Sequence, residues 1–224
     1  MLMNLLGGGR MDMLLTDPPY NVDYSGKNEF LNKLDESNRI QKDIENDNID
    51  NFEEFLTKIF NNIKLILSDY NTIYAFISDL ELCTLKKAMH NANIQMSSTL
   101  IWAKNNHVLG RMDYNAKHEC CQYGWYNHHK FYGDFSTTLL EFPKPLRNEL
   151  HPTMKPIELL VKLIKDGSPT NANVIDVFGG SGSTLIACEQ LQRNCYMMEI
   201  DPKYCQIIIN RWEEYTGKTA TKIN

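Results

Sequence analysis

From residue 156 to residue 217 the sequence alternates helix-like and strand-like segments so regularly that few folds can accommodate it. Pro156 opens a helix carrying Leu159, Leu160, Leu163 and Ile164 on one face, with Gly167 as its stop. A short apolar run over 174–178 has the length of a buried strand. Residues 182–193 predict a helix and 195–200 another strand. Asp201-Pro202 then cap and start a helix with Cys205, Ile208, Trp212 and Tyr215, ended by Gly217. Such alternation implies an α/β fold with a mostly parallel sheet and helices on both faces.

The first two thirds fit the same layout. Residues 11–16 form a short strand that two prolines terminate. The polar stretch 23–50 has no period and is expected to be a long mobile loop. A helix follows over 51–68, with Phe52, Phe55, Leu56, Ile59, Phe60, Ile63 and Leu67 at helical spacing and Asn51 with Glu54 as a capping box. A strand (72–77), a helix (80–91) and a strand (97–104) come next, then an irregular, aromatic-rich region over 105–150 that reads as strands and loops of an inserted recognition region. At 224 residues, one domain with an embedded recognition region is the expected organisation.

Other classes fit poorly. No apolar run reaches the roughly 18 residues of a membrane span, and the first ten residues make no secretory signal, so a cytoplasmic protein without membrane contact is expected. Six cysteines with no C-x-x-C pair read as reduced thiols. Cys120 and Cys121 lie near His118, His128 and His129, but ligand pairs at zinc spacing are missing, and no metal is expected. The net charge of −5 does not advertise nucleic acid. It is uneven, however: residues 102–156 hold seven Lys/Arg against five acids, a balance of +2, which leaves −7 for the rest.

Two motifs carry chemistry. The stretch Asp176-Val-Phe178-Gly179-Gly180-Ser181-Gly182-Ser-Thr184 is a strand end, a tight glycine turn and a helix start. Glycines there let the chain turn sharply and let a ligand approach the backbone, and Glu199 ends the next strand where a ribose-binding acid sits in this architecture. No G-K-[ST] follows, which excludes a Walker loop, and the third glycine of a dinucleotide fingerprint is missing. A ligand with a ribose and an amino-acid carboxylate but no phosphate fits better, and S-adenosylmethionine is such a ligand. The competing reading is that the glycines only allow close helix–sheet packing.

The second motif is Thr16-Asp17-Pro18-Pro19-Tyr20-Asn21, placed where an apolar strand ends. The prolines stiffen the backbone and remove two N–H donors, leaving carbonyl oxygens and the Asp17 carboxylate as acceptors beside a flat ring. Two acceptors and a stacking face suit an –NH2 group on a planar heterocycle. Hydrogen bonds from that amine to Asp17 and the Pro18 carbonyl would favour a pyramidal nitrogen whose lone pair faces a sulfonium methyl. Positioning and electrostatics would then supply most of the rate.

These elements, together with Ile101-Trp102-Ala-Lys104, His151-Pro-Thr-Met-Lys155-Pro156 and Met198-Glu199-Ile-Asp201-Pro202, make the chain resemble a DNA amino-methyltransferase of the β type. Within that group it is most similar to the small adenine-specific modification methylases of phages and prophages. The resemblance implies a Rossmann-like, S-adenosylmethionine-dependent fold acting on double-stranded DNA without a metal, with a homodimer left open. It implies that Asp17, Pro18, Pro19 and Tyr20 hold a flipped-out adenine. Phe178, Gly179, Gly180 and Gly182 would line the methionine part of the cofactor, with Asp176, Ser181 and Thr184 beside them and Glu199 on the ribose. Thr153 and Lys155 would stand beside the cofactor, and Arg111 and Lys117 would touch DNA. Family members usually carry a further strand and a Gly-Asp turn ahead of the first strand here, so a missing N-terminal strand and a less complete cofactor pocket are expected. The alternatives are the same chemistry on cytosine or RNA, and a truncated relic that binds without turnover.

Overall fold

The computed structural model describes residues 8–21, 49–105, 113–143 and 154–223. Strand β1 is Met11–Thr16, followed by helix α1 (Phe52–Ile63) and strand β2 (Leu67–Ile77). A 3-10 turn (Asp79–Glu81) leads into α2 (Leu82–Asn91), then β3 (Gln95–Ala103), β4 (His118–Trp125), β5 (His128–His129) and β6 (Leu139–Glu141). The last third is α3 (Ile157–Gly167), β7 (Asn173–Asp176), α4 (Ser183–Gln190), β8 (Asn194–Met197) and α5 (Pro202–Thr216).

The strands form a mixed, mostly parallel sheet in the order β6-β3-β4-β2-β1-β7-β8, with β5 paired to β2 off this path. Strands β8, β7, β1 and β2 are mutually parallel. Only β4 runs against its neighbours, antiparallel to both β2 and β3. This is the expected fold class, with one revision. The region 105–150 is not wholly an insertion, because β4 lies inside the main sheet between β2 and β3. Its alternation is masked by aromatic and polar residues, and Cys120 and Cys121 point into opposite cores.

The central strands alternate strictly between two apolar layers. Leu14, Ile73, Ala75, Ile77 and Ile175 face α1 and α2. Met13, Leu15, Tyr74, Phe76 and Val174 face α3 and α4. Helix α3 buries Leu159, Leu160, Leu163 and Ile164, the face its spacing predicts. Among the described residues no helix is long and apolar enough to cross a membrane.

Some expected boundaries are corrected. Helix α1 stops at Ile63 rather than 68, because Leu67 already pairs with Met11. Asn51 sits in the left-handed region (φ 53) and its side chain caps nothing, so the capping box does not form. The helix predicted over 80–91 begins as the 3-10 turn, with α2 starting at Leu82. Helix α4 and strands β7 and β8 are each shorter than predicted, since the glycine turn and the chain around Glu199 leave regular geometry.

Gly167 is not a helix stop in the expected sense. It is the last helical residue, and Ser168 ends the helix in extended geometry (φ −150, ψ 146). Pro169 disfavours the helical region for the residue before it, which explains the stop. Gly167 is needed for packing: an added Cβ would lie 2.7 Å from Thr72 Oγ1 and 2.8 Å from Tyr74 Cε2, both buried. The Thr72 hydroxyl also donates to the Gly167 carbonyl at 2.8 Å. Gly167→Ala is therefore expected to destabilise the fold by about 1–3 kcal/mol through overpacking. Urea unfolding reads this as a lower midpoint, and an unchanged midpoint would mean that α3 can move off β2 freely.

Candidate active site

The carboxyl ends of the parallel strands lie along one sheet edge, where open α/β sheets bind ligands. Asp17 follows β1, Asp176 ends β7, and Phe178 to Gly182 form the turn into α4. The antiparallel β4 begins at that edge, since Cys120 pairs with Ile77, and this brings Glu119 there. Lys104 follows β3 and Lys155 precedes α3, so both reach the same place.

Asp17, Lys155, Asp176, Phe178, Gly179 and Gly180 are among the residues lining one pocket that is partly open to solvent. Ser181 and Thr184 also line it, as does the buried Thr16, whose hydroxyl is close enough to Asp176 to help offset the burial of that carboxyl. Gly182, Glu199, Pro18, Pro19 and Tyr20 are not part of the lining. Thr153 and Arg111 lie outside the described residues. Lys117 is exposed, and its carbonyl accepts from the Lys104 N–H at 2.8 Å at the start of β4. Most of the loop expected over 23–50 is also outside the description, but Asn21 and Ile49 on either side of it meet through a 2.7 Å hydrogen bond.

The glycine turn meets both demands read from the sequence. Gly180 and Gly182 take left-handed backbone angles (φ 52 and 79). A Cβ on Gly179 would lie 2.7 Å from Met197, and one on Gly182 would lie 3.2 Å from Ile208 of α5. Close packing against β8 and α5 is thus real, and the turn still faces the pocket. Arg211 pins it from behind, donating to the Ser181 carbonyl at 2.9 Å and to Ser183 Oγ at 3.1 Å. Glu199 accepts from the Gly180 N–H at 2.7 Å and the Asp201 N–H at 2.9 Å, so it braces the turn from the neighbouring strand.

Asp17 is not an open acceptor in this state. Its Oδ2 is ion-paired to Lys155, and its Oδ1 lies 2.9 Å from the Tyr20 hydroxyl. The same hydroxyl lies 2.8 Å from Glu119 Oε2 and 3.0 Å from Lys155 Nζ. Lys155 reaches Glu119 at 3.1 Å, and Lys104 pairs with the other Glu119 oxygen. Lys155 was expected beside the cofactor; it lines the pocket but is also the cation between two carboxylates. Its ammonium sits 5.3 Å from the Tyr20 ring centre and 5.1 Å from that of Phe76.

Burial sets the protonation of this cluster. It pushes the Asp17 carboxyl up, and Lys155 opposes this only in part. Burial raises the Tyr20 phenol well above its ordinary range, and Asp17 and Glu119 add to the effect, so the phenol keeps its proton. For Glu119, burial is outweighed by Lys155 and Lys104, which bring it down to about 2. Burial would lower Lys155, but Asp17 and Glu119 outweigh it and hold the ammonium charged. Sequence reasoning missed Glu119, Thr16 and Arg211. Lys104 was visible only as part of the I-W-x-K element, and Glu119 carries no local signal because its partners Tyr20, Lys104 and Lys155 lie on three other segments of the chain.

The sequence matches the DNA methylase family over residues 11–149 and 141–210. The chain belongs to that family, whose members methylate the N6 amine of adenine or the N4 amine of cytosine in DNA. The Type II methyltransferase M.HinfI of Haemophilus influenzae is 26% identical over 91% of this chain, which spans 63% of that relative's length. In fold, the chain is similar to the M1.HpyAVI–SAM complex, with a TM-score of 0.68 and 20% identity over 93% of this chain and 91% of that one. It is similar also to the cytosine-N4-specific PvuII DNA methyltransferase, with a TM-score of 0.71 and 14% identity over 96% and 88% of the two chains.

Asp176 gives this family member a pH dependence that can be measured. Burial pushes its carboxyl from 3.8 up to about 7, although Thr184 (2.6 Å) and the Phe178 N–H (3.1 Å) donate to it. The folded state therefore holds this proton more tightly than the unfolded chain does. Stability from this group is full below the unfolded value and is lost as pH rises to about 7, by an amount on the order of 4 kcal/mol. Asp176→Asn is expected to flatten the pH dependence of the urea midpoint between about pH 4 and about pH 7. Parallel profiles for the two proteins would show that Asp176 titrates normally.

Proposed function

We propose that the chain transfers a methyl group from S-adenosylmethionine to the N6 amine of an adenine swung out of duplex DNA. The observation that carries this reading is that Asp17 and the glycine turn line the same pocket although they lie at opposite ends of the chain. The pocket fits the cofactor chemically. It offers the Asp176 carboxylate to a cationic ligand, and the buried Thr16 hydroxyl as a further polar contact. When bound, S-adenosylmethionine supplies an activated methyl group on a sulfonium.

The chain's own residues supply positioning. Phe178 and the turn from Gly179 to Gly182 give the methionine part a close backbone surface, with Ser181 and Thr184 alongside. Glu199, fixed by two backbone N–H groups, keeps lone pairs for ribose hydroxyls. Asp17 and the Pro18 carbonyl accept from the target amine, and Pro19 and Tyr20 frame the base. Lys155 holds the Asp17 carboxyl in place and favours its ionised form against burial. Lys117, exposed just before β4, is available to a DNA phosphate. Adenine is favoured over cytosine because the motif opens with Asp17, where cytosine enzymes more often have Ser.

Incubating the protein with labelled S-adenosylmethionine and mixed-sequence duplex DNA is expected to yield N6-methyladenine on nucleoside analysis. Asp17→Ala should cut transfer by at least about a hundredfold while leaving cofactor affinity within about threefold. N4-methylcytosine as the sole product would reverse the base assignment, and label in RNA alone would reverse the substrate.

A further inference from the structure

The Tyr20 hydroxyl has one proton and two carboxylates competing for it. Asp17 Oδ1 lies 2.9 Å away and Glu119 Oε2 lies 2.8 Å away. Lys155 donates to the same oxygen at 3.0 Å, so the lone pair is already in use. Asp17 Oδ2 is committed to Lys155. A substrate amine that donates to Asp17 meets Oδ2 already held by Lys155, and at Oδ1 it has to share with or displace the Tyr20 proton. A buried phenol left without an acceptor is strongly disfavoured.

Glu119 resolves that conflict. Its carboxylate is held by Lys104 on one oxygen and by Lys155 on the other, so it cannot swing away. It projects from the first turn of the pairing between β4 and β3, where Trp102 faces Glu119 across the ladder. Being ionised, it is a strong acceptor for the phenol. We propose that Glu119 is a positioning residue that takes over the Tyr20 hydroxyl when the target amine engages Asp17. The phenol then donates only to Glu119, Asp17 Oδ1 accepts the amine, and Tyr20 stays fixed beside the base. Before substrate arrives, the shared proton keeps Asp17 satisfied in a buried site. This inference rests on the proposed amine methylation and adds a residue to it.

The test is a double-variant cycle between Tyr20 and position 119. Glu119→Asp keeps the charge beside Lys104 but withdraws it from the phenol, and Glu119→Gln keeps the length but removes the charge. Each is expected to lower kcat on duplex DNA by at least about tenfold, with KM for S-adenosylmethionine within about threefold. In a Tyr20→Phe background, where no proton is left to hand over, the same changes should add less than about threefold. Near-normal kcat in both single variants, or an undiminished loss in the Tyr20→Phe background, would overturn the proposal. If Glu119→Gln fails to fold, the Glu119→Asp arm decides. If the unsubstituted protein methylates no amine, the proposed function falls, and the hand-over is judged by urea unfolding. Non-additive midpoints for Tyr20→Phe and Glu119→Asp support the contact, and additive ones sink it.

Discussion

The pairing of β1 with β7 is the constraint on which the rest of the site depends. Met13 lies beside Val174 and Leu14 beside Ile175, in parallel, although 161 positions separate them in the chain. Both strands end at the same edge, so Asp17 and Asp176 emerge next to each other, and the charge of Asp17 helps to raise Asp176. A slip of one residue would turn Met13 and Leu15 from the α3–α4 layer into the α1–α2 layer. It would also turn Asp17 away from the pocket. Asp12 reinforces the register at the opposite edge, accepting from the Asn173 N–H at 2.9 Å and from Ser68 at 3.1 Å. The apolar alternation that builds the core is therefore the same feature that aims the chemistry.

The charge cluster at the edge makes sense only against that rigid background. Lys104, Lys155, Asp17 and Glu119 are two cations and two anions, and the two lysines are 8% and 5% exposed. Ion pairs taken out of water regain little net stability, because desolvation offsets their attraction. A fold seeking only stability would use apolar side chains here, as it does at Phe76 just beneath Lys155. What the pairs do provide is fixed geometry: Lys155 reaches three oxygens at once, two from the segment after β1 and one from β4. Its position just before α3 is set by Pro156, so the ammonium is delivered by a stiff segment and not by a long flexible loop.

Much of this was legible in the sequence where physics acts locally. The periodicities of α1 and α3, the strand before Asp17 and the turn after Asp176 depend on neighbouring residues, and they appear where the sequence places them. Ends were less legible: α1 stops early because Leu67 finds Met11 across the sheet, a contact that the helical spacing of Leu67 hides. Strands were expected within 105–150, but not that β4 lies inside the main sheet, since Cys120, Cys121, Gln122 and Tyr123 give no simple apolar alternation and yet are all buried between two strands. At the site, Asp17 and the glycine turn were readable because each is a contiguous motif. Glu119 was not, because its importance comes from Tyr20, 99 positions away, and from Lys155.

Under the proposed function, the resting electrostatics of the pocket and its loaded state are complementary. Asp176, whose carboxyl burial raises to about 7, is close to half protonated near neutral pH when nothing positive faces it. A cationic ligand in the pocket would favour the ionised form, since an opposite charge lowers a buried carboxyl's proton affinity. Binding and proton release are then linked, and the linkage acts only on a carboxyl as dry as this one. Asp17 differs because a resident ammonium, that of Lys155, already offsets part of its burial. Two carboxylates at adjacent strand ends thus divide the work by environment: one faces a cation built into the protein, and the other becomes charged when a cationic ligand arrives.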